Sequence, residues 1–367
     1  MKNPLFVFIT SITLFLSSGC ADRSLAKTAL DSLSEAAEAA EAAQIQNKDS
    51  YFKVLTYNTW LLKIKNFDLS RHTQERLEKI PQALYQTGAH LIALQEVWDP
   101  QVRSYLIDEM KKKSNGNYQY HRFLNYDREK KTKGHYGVFA SNGLLLISQY
   151  PIKKTNLDSQ LAFSQYTRKD EAFVTKGAIH IEVNVPQIGT IDVYNTHLGA
   201  LTVNKDKKQE YSYIADELAA HKNQMGELFN FIEKTNLHKT TLLIGDFNMD
   251  PFLMTKSGLD QNKKSKLSEL SEKNGFKNTL LDFNQTNFRK KFSWSNKNPF
   301  IYTGALPHSP DETIDHIYLR DKKDCLVVHD AQIILDEKVE LNKAKEKLPL
   351  SDHYGVMTTF ENNCENN

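Results

Sequence analysis

Thr241-Leu242-Leu243-Ile244-Gly245-Asp246-Phe247-Asn248 is a short apolar run that passes directly into an acidic and an amide side chain. A run of this length, rich in β-branched and aliphatic residues, is typical of a buried strand. The same pattern recurs where apolar runs end at Asn58, Glu96 and His197. A buried strand that ends in a polar residue places that side chain at a sheet edge, where α/β proteins hold their sites. We therefore expect one site at the ends of several strands.

Further apolar runs and two amphipathic stretches extend this pattern along the chain. The predicted strands are Lys53 to Tyr57, Leu91 to Leu94, Leu144 to Ser148, Ala178 to Val185, Thr190 to Asn195, Thr241 to Gly245, Ile314 to Leu319 and Val356 to Phe360. The predicted helices are Thr73 to Gln86, with a kink at Pro81, and Glu210 to Lys234. Because no repeat or long linker interrupts the pattern, we expect one α/β domain with helices outside its sheets.

The composition excludes several classes of protein. The chain has 367 residues, of which 40% are hydrophobic and 25% charged, so it is neither disordered nor collagen-like. Its net charge is 47 − 45 = +2. The basic runs at Lys111 to Lys113, Lys263 to Lys266 and Arg289 to Lys291 are separated by acidic residues. This balance argues against a nucleic-acid partner, which needs clustered basic side chains.

The N-terminus has the pattern of an export signal. Lys2 precedes the apolar run Leu5 to Leu16, and small residues lead to Cys20. Residues 1–20 resemble a bacterial lipoprotein signal in which Cys20 is lipidated, although Ser17 replaces the usual leucine. Gly19-Cys20-Ala21 also fits ordinary cleavage, which would give a secreted protein. Residues 21–48, rich in Ala and Glu, are predicted to be a flexible tether, and residues 362–367 a disordered tail.

Six short motifs follow one another in the remaining chain: Tyr57-Asn58-Thr59-Trp60, Leu94-Gln95-Glu96-Val97, Asn195-Thr196-His197-Leu198, Gly245-Asp246-Phe247-Asn248, Ile314-Asp315-His316-Ile317 and Leu350-Ser351-Asp352-His353. In this order they resemble the signature of the endonuclease/exonuclease/phosphatase superfamily. The resemblance implies a four-layer α/β sandwich of two mixed β-sheets flanked by helices over residues 49–361. It also implies that water cleaves a phosphoester with the help of Mg²⁺ or another divalent cation.

The resemblance also implies a role for each motif residue. Glu96 would be the main metal ligand with Asn58 beside it, and His353 would be the general base, held by Asp315. The remaining catalytic residues would be Asp246 and Asn248, which orient water and phosphate, His197 on the leaving side, and Asp352. The chemistry fits these residue types, because a hard cation prefers carboxylate oxygen and an oriented imidazole can deprotonate water near neutral pH. His316 should face away from Asp315, since neighbouring strand residues alternate faces.

Three further features resemble the neutral sphingomyelinases, which cleave sphingomyelin to ceramide and phosphocholine. These are Asn142-Gly143 before an apolar run, Lys176-Gly177 at a strand start, and Asn223-Gln224-Met225 inside the long helix. Asn142 and Lys176 would then contact substrate, although a strand-end lysine can also be merely solvated. Two features depart from that branch. Glu171 stands where relatives often have Asp, and Ala331 to Leu348 lacks the aromatic-tipped hairpin of the secreted bacterial enzymes.

The expected partners are a phospholipid, with sphingomyelin as the main candidate, and a membrane reached through lipidated Cys20. We expect a monomer at the bacterial outer membrane or cell surface, or a secreted one under ordinary cleavage. A deoxyribonuclease-type nuclease, an inositol-phosphate phosphatase and a non-catalytic binding module remain alternatives. Cys325 and Cys364 can pair outside the cytoplasm. Trp60 and Trp98, each just past a strand that carries site residues, are expected to be packing residues rather than lipid contacts.

Overall fold

The computed structural model describes residues 51–64, 67–123, 141–153, 159–206, 208, 210–283, 291–302, 310–341 and 346–363. The predicted signal, tether and lipidated Cys20 lie outside these ranges. Within them, no helix is both long and apolar enough to span a membrane. Cys325 is disulfide-bonded, and Cys364 lies outside the described residues.

The strands in chain order are β1 Tyr51–Asn58, β2 Lys63–Ile64, β3 Phe67–Asp68, β4 Leu91–Gln95, β5 Tyr120–Arg122, β6 Leu145–Ser148, β7 Ile152–Lys153, β8 Gln160–Ala162, β9 Gly177–Val185, β10 Gly189–His197, β11 Val203–Lys205, β12 Tyr211–Tyr213, β13 Thr240–Asp246, β14 Phe252–Thr255, β15 Gly258–Lys264, β16 Lys277–Asn278, β17 Asp315–Asp321, β18 Leu326–Ile334, β19 Val339–Leu341, β20 Glu346–Leu348 and β21 Gly355–Asn362. The α-helices are α1 Thr73–Gln86, α2 Pro100–Lys113, α3 Ala215–Thr235, α4 Lys266–Lys273, α5 Thr279–Phe283 and α6 Pro299–Tyr302, and Lys169–Phe173 is a 3-10 helix.

Two mixed sheets form the centre of the domain. The first has the order β18-β21-β1-β4-β6-β5, with β1 and β4 parallel and the other pairs antiparallel. The second has the order β16-β17-β13-β10-β9-β7, with β8 also on β9, and here β10 and β13 are the parallel pair. Each parallel pair brings two carboxyl-terminal strand ends to one edge of its sheet.

An apolar layer lies between the two sheets. Val54 and Ala93 of the first sheet meet Val193 and Leu242 of the second, and all four side chains are fully buried. Alternation along the strands points every second residue into this layer. Burial of this kind supplies on the order of 25 cal/mol for each Å² of apolar surface removed from water.

Helices cover the outer faces of both sheets. Leu55 and Ile92 pack with residues of α1 and α2, and Tyr194 and Leu243 pack with residues of α3. The order is therefore helix, sheet, sheet, helix, and the predicted four-layer sandwich is confirmed. The near-continuous apolar runs of the sequence reflect strands that are buried on both faces.

The sequence prediction was wrong at the start of the long helix. It begins at Ala215 rather than Glu210, and Tyr211–Tyr213 instead pairs antiparallel with Val203–Lys205. Alternating tyrosines favour a strand. Ile214 has extended backbone angles, so the helix begins after it and does not continue toward Glu210. The predicted helix Thr73 to Gln86 has the observed bounds, with Pro81 inside it. The predicted strands differ from the observed ones by one or two residues at their ends.

Candidate active site

The polar strand ends of both sheets meet at one edge of the sandwich. In the first sheet Asn58 pairs with Gln95, and Glu96 follows directly. In the second sheet His197 pairs with Asp246, which pairs in turn with Asp315. Parallel strands bring their carboxyl ends to the same edge, which is why the sequence places these side chains together.

The amide of Asn58 joins the two sheets across this edge. Its Nδ2 donates to Asp246 Oδ2 at 2.9 Å and to Glu96 Oε1 at 3.2 Å. Its Oδ1 accepts from the backbone N–H of Trp60 at 3.0 Å, which fixes the orientation of the amide. Asn58 therefore holds two carboxylates from different sheets at a set separation.

Backbone strain accompanies two of the site residues. Glu96 has φ 62° and Asn248 has φ 50°, both in the left-handed region that non-glycine residues seldom adopt. Strain of this kind clusters at functional sites, where the surrounding structure holds it. In the strand that leads to Asn248, Gly245 has φ 145°, and a Cβ there would lie 2.0 Å from the Thr196 carbonyl oxygen. Only glycine fits at this position, because the neighbouring parallel strand approaches its backbone so closely.

Asp246 contacts more of the site residues than its neighbours in the site do: its carboxylate lies close to both histidines, and it accepts from Asn58 and Asn248. Its Oδ2 lies 3.3 Å from His197 Nε2 and 3.8 Å from His353 Nε2. Its Oδ1 accepts from the backbone N–H of Asn248 at 2.9 Å, while Asn248 Nδ2 donates to the carbonyl oxygen of Leu198. Burial, followed by the charge of Asp315, raises the pKa of Asp246 to about 6. Removing this carboxylate would affect both histidines.

His353 and Asp315 form an oriented pair. His353 Nδ1 lies 2.8 Å from Asp315 Oδ2, and both residues are buried. The hydrogen bond leaves Nε2 directed at the side where Asp246 lies. Burial lowers the pKa of His353, but the charges of Asp315 and Asp246 outweigh it and raise the value to about 10. An imidazole held in this way has one ring nitrogen available for proton transfer.

Glu96 is the best candidate for a metal ligand. Its Oε2 is buried and has no hydrogen-bond partner among the described residues. Burial raises the pKa of Glu96, against the opposing charge of Lys176. A buried carboxylate oxygen without a partner is costly unless something positive binds it. Oxygen donors of this type are what Mg²⁺ prefers, so the residues present fit a hard divalent cation.

A second cluster, of two carboxylates and one imidazole, also has the geometry to hold a cation. Ligand atoms of Asp246, Asp315 and His353 all lie within 4.8 Å of one another. The Nδ1 to Oδ2 hydrogen bond already joins two of the three, whereas Asp315 Oδ1 is buried without a partner among the described residues. The His353–Asp315 hydrogen bond in this group already has an explanation as an oriented base, which leaves Glu96 as the other candidate ligand.

Asp352 lies on the Glu96 side of the centre. Its Oδ1 accepts from Ser351 Oγ at 3.2 Å, and Ser351 Oγ also donates to the carbonyl oxygen of Asn58 at 2.7 Å. Burial raises the pKa of Asp352 to about 6, and Glu96 adds to the effect while His353 and Arg76 oppose it. The carboxylates of this centre are therefore crowded and share the positive charge around them.

Lys176 is buried rather than solvated, so the reading of an exposed strand-end lysine was wrong. Its Nζ lies 2.7 Å from Glu171 Oε1 and donates to the carbonyl oxygen of Leu198 at 3.0 Å. Its charge lowers the pKa values of Glu96, Asp246 and His197, which places it within electrostatic reach of the centre. Burial together with Lys176 holds the pKa of His197 well below its usual value, so this imidazole is neutral.

Asn142 is fully buried at the start of the turn before β6. Its Oδ1 accepts from the backbone N–H of Leu144 at 3.1 Å, and its Nδ2 has no partner among the described residues. The next residue, Gly143, has φ 70° and packs so closely on Trp98 that a Cβ would lie 2.7 Å from the ring. The backbone conformation thus explains why Asn and Gly occupy these two positions. Within the described residues, Nδ2 of Asn142 is left able to donate to a bound group.

Several residues that shape the site were missed by the sequence analysis. The ring of Trp294 contacts His353 edge-on, with centroids 4.8 Å apart, and Ser293 Oγ accepts from the backbone N–H groups of Ile314 and Asp315. Buried Arg76 donates to the carbonyl oxygens of Thr59 and Leu350. None of these residues ends an apolar strand, so periodicity carried no signal for them.

Three residues set aside in the sequence analysis have structural contacts. His316 lies on the opposite face from Asp315, with Nε2 3.0 Å from the carbonyl oxygen of Met249, as strand alternation predicted. Trp98 is buried, and Trp60 contacts Phe300 at 5.2 Å between centroids. Both tryptophans pack, as expected.

The fold resembles several solved structures. Sphingomyelinase C from Streptomyces griseocarneus is 18% identical, with a TM-score of 0.58 over 84% of this chain and 99% of that one. A magnesium-bound beta toxin variant from Staphylococcus aureus is 17% identical, with a TM-score of 0.56 over 83% and 98%. D. rerio TDP2 complexed with a single-strand DNA product is 15% identical, with a TM-score of 0.54 over 85% and 99%. At these identities the likeness concerns the fold.

The search of curated proteins found no match. The model of the Endonuclease/Exonuclease/phosphatase family matches residues 55–353. That range includes Asn58, Glu96, His197, Asp246 and His353, the side chains that the two sheet edges bring together. The chain belongs to the endonuclease/exonuclease/phosphatase family.

Proposed function

We propose that this protein is a magnesium-dependent phosphodiesterase that hydrolyses sphingomyelin to ceramide and phosphocholine. The observation that carries the chemistry is the arrangement around Asp246. Nε2 of the oriented base His353 lies 3.8 Å from Asp246 Oδ2, and the same oxygen accepts from Asn58, which also donates to Glu96 Oε1. The other oxygen of Glu96, Oε2, has no partner among the described residues. This arrangement suits the attack of water on an anionic phosphodiester.

Each residue has a role that its contacts support. Glu96 would hold Mg²⁺, which when bound neutralises charge on the phosphoryl oxygens, and Asn58 would position the Glu96 carboxylate through its Nδ2. His353 accepts a proton from water at Nε2, and Asp315 stabilises the imidazolium through Nδ1. Asp246 and Asn248 orient the water and the phosphate. Asp352 adds a second negative charge close to Glu96, which would strengthen the attraction of this part of the site for a cation.

His197 and Asn142 would act on the phosphate. Because its pKa is held well below the usual value, His197 is neutral near pH 7 and acts as a hydrogen-bond donor toward the leaving side rather than as an acid. Nδ2 of Asn142, which has no partner in the described part of the chain, can donate to a phosphoryl oxygen. Lys176 supplies positive charge to this side of the centre, although Glu171 shares it.

The raised pKa of His353 is compatible with its role as a base. With only the protein's charges present, the neighbouring carboxylates raise it to about 10, so the imidazole is protonated at neutral pH. A divalent cation is the largest local charge in a site of this kind, and it opposes protonation of its neighbours. A divalent cation held by Glu96 would lower the pKa of His353 and would leave Nε2 free to accept a proton.

Sphingomyelin is proposed as the substrate on three grounds. The Asn142-Gly143, Lys176-Gly177 and Asn223-Gln224 features resemble the neutral sphingomyelinases, and the similar structures include a sphingomyelinase C. The net charge of +2, with basic residues scattered along the sequence, argues against a nucleic-acid substrate. A nuclease is the second candidate, because TDP2 with bound DNA product shares the fold.

An activity panel on the purified chain tests the substrate. With Mg²⁺ present, we expect phosphocholine release from sphingomyelin micelles to be much faster than nicking of plasmid DNA. Phosphatidylcholine and inositol phosphates complete the panel. Efficient cutting of DNA at low salt, with both lipids intact under every detergent condition, would replace the lipid proposal with the nuclease.

We also propose that the protein is exported and anchored through lipidated Cys20 at the outer membrane or cell surface. The support is the signal pattern of residues 1–20 and the composition of residues 21–48, which suits a spacer between a membrane and a folded domain. The protein would act there as a monomer. Release as a secreted protein is the alternative that the Gly19-Cys20-Ala21 sequence leaves open.

A further inference from the structure

A line of three buried polar residues lies along helix α3. Glu217, His221 and Gln224 are spaced i, i+4 and i+7, which places them on one face of the helix. Their exposed fractions are 9%, 0% and 1%. Buried polar groups need hydrogen-bond partners, so the contacts of these three residues, here called the polar stripe, indicate what they do. The proposed function gives none of them a role.

Gln224 holds the backbone that follows His197. Its Oε1 accepts from the backbone N–H of Gly199 at 2.7 Å, and its Nε2 donates to the carbonyl oxygen of Gln165 at 2.7 Å. The chain has little room to move here, because a Cβ on Gly199 would lie 2.4 Å from Thr167 Oγ1. The buried amide therefore joins the segment after His197 to a second segment of the chain.

Glu217 holds the far end of the same segment. Its Oε2 accepts from the backbone N–H of Thr202 at 2.6 Å, and its Oε1 accepts from the hydroxyl of Thr202 at 3.1 Å. Between these two points, the carbonyl oxygen of Ala200 accepts from Thr167 Oγ1 at 2.7 Å. Strand β10 ends at His197. Side chains, rather than continued strand pairing, therefore fix the backbone of residues 198–202 at these points.

His221 contacts the loop at the end of the neighbouring strand β13. Its Nε2 lies 2.8 Å from the carbonyl oxygen of Phe247, which lies between Asp246 and Asn248 in the chain. A carbonyl oxygen can only accept, so Nε2 carries the proton and donates. Burial lowers the pKa of His221 to about 4, so its imidazole is neutral at pH 7. The polar stripe thus contacts the chain beside His197 and beside Asn248.

We propose that the polar stripe is a set of positioning residues, in which Gln224 and Glu217 act through residues 198–202 to hold His197 at the leaving side of the phosphate. The inference rests on the proposed phosphodiesterase function and adds residues that act through others rather than on the substrate. His197 is the last residue of its strand, so its position depends on what holds the chain just after it. A misplacement of about 1 Å at a reacting group can cost on the order of a hundredfold in rate.

The inference accounts for the Asn223-Gln224-Met225 step of the sequence. Met225 is fully buried in an apolar cluster, whereas Asn223 is exposed, with its Nδ2 3.0 Å from Gln165 Oε1. Of these three residues, Gln224 is the one that contacts the backbone after His197. The apolar spacing of the helix gave no sign of the stripe, because polar residues at this spacing also occur on exposed faces.

The test uses the leaving group, because His197 would act there. Phenylphosphorylcholine and p-nitrophenylphosphorylcholine differ only in the nitro group, which stabilises the departing phenolate. In both, water forms a bond to phosphorus while the bond from phosphorus to the phenolate oxygen breaks, and His197 would donate a hydrogen bond to that oxygen. Poor positioning of His197 therefore slows the phenyl ester more than the nitrophenyl ester.

With Mg²⁺ present, we expect Gln224→Met to lower the ratio of kcat/KM for the phenyl ester to that for the nitrophenyl ester by about fivefold or more. His197→Ala should lower the same ratio further. Gln224→Met added to His197→Ala should then leave the ratio where His197→Ala alone puts it, because the two side chains act as a unit. An equal loss for both esters in Gln224→Met would show a merely structural role and overturn the inference.

Two further variants complete the test. Lys222→Ala, on the exposed part of the same helix, is the matched control and should leave the ratio unchanged. Glu217→Ala should lower the ratio in the same direction as Gln224→Met, because it releases the other end of the segment. Should circular dichroism show that Gln224→Met does not fold, an unchanged ratio in Glu217→Ala overturns the inference.

Failure of the proposed function gives a different result, in which the wild-type protein cuts neither ester. The NMR resonances of the His197 ring need no turnover, so they are measured in every case. Gln224→Met or Glu217→Ala should shift them more than Lys222→Ala does, since the stripe holds the chain next to this ring. Shifts no larger than those of Lys222→Ala would overturn the inference whatever the protein hydrolyses.

Discussion

Lys176 Nζ lies 2.7 Å from Glu171 Oε1, and both side chains are about 10% exposed. Glu171 is held in turn, because its Oε1 accepts from the backbone N–H of Ala200 and its Oε2 from the hydroxyl of Thr167. The pair thus ties the 3-10 helix Lys169–Phe173 to the segment after His197.

Breaking this pair should reduce both stability and activity. Lys176→Met or Glu171→Gln leaves one charged group buried without compensation, which costs about 3–5 kcal/mol. The double variant Lys176→Met with Glu171→Gln should recover much of the free energy of unfolding, measured by urea titration. If the lysine also neutralises phosphate, activity will stay low in the double variant. Recovery of activity together with stability would show that the lysine is only structural.

The pH dependence of activity should report on His353. Because a base must be neutral, the rate should rise with pH through the pKa of this imidazole in the metal-loaded enzyme. Asp315→Asn removes a negative charge that raises this pKa, so the rising limb should shift to lower pH, with a smaller loss of rate than in His353→Ala. NMR of the chelated protein should show the same direction, starting from a pKa of about 10. An unaltered pH profile in His353→Ala would reject the assignment.

Glu96→Gln tests the metal site. The amide keeps the shape of the side chain but removes the charge that holds a divalent cation, so activity should fall by roughly a hundredfold or more. Calorimetric titration with Mg²⁺ should show weaker binding, while Glu269→Gln on the exposed face of α4 should bind as the wild type does. Circular dichroism should stay unchanged. Equal response of Glu96→Gln and wild type to chelator would remove Glu96 from the mechanism.

Asp352→Asn should stabilise the chelated protein at neutral pH. The folded-state pKa of Asp352 is raised from 3.8 to about 6, so its favourable contribution exists at low pH and is lost as the pH rises through about 6. The gain in unfolding free energy of the variant over the wild type should therefore grow between about pH 4 and pH 6, by on the order of 1–3 kcal/mol. Saturating Mg²⁺ should shrink the gain. A gain that does not vary with pH would contradict the crowded-carboxylate account.

Cys20→Ser tests the proposed anchor. The substitution removes the thiol that would be lipidated, so the protein should move from the membrane fraction to the soluble fraction, because the acyl chains supply the membrane affinity. Immunoblots of the two fractions and mass spectrometry of the mature N-terminus measure the change. A mature chain that begins at Asp22 in both versions would support ordinary secretion instead.

Much of the site could be predicted because each main residue directly follows an apolar strand. Asn58, Glu96, His197 and Asp246 carry this signal in the linear chain, and strand alternation correctly separated His316 from Asp315. The bounds of Thr73 to Gln86 also follow from local pattern alone. The start of the long helix could not be predicted in this way, because apolar spacing does not show that Tyr211–Tyr213 pairs with another strand.

The sequence by itself determined the fold class and the strand-end residues, because strand period and the polar residue after each run are local properties that folding preserves. Only the tertiary structure decided that Lys176 is buried against Glu171 and that Asn58 joins the sheets through Asp246. It alone set Trp294 between His353 and Glu312. These contacts join residues far apart in the chain. Their distances depend on how the two sheets and their connecting segments pack, and no local pattern encodes that packing.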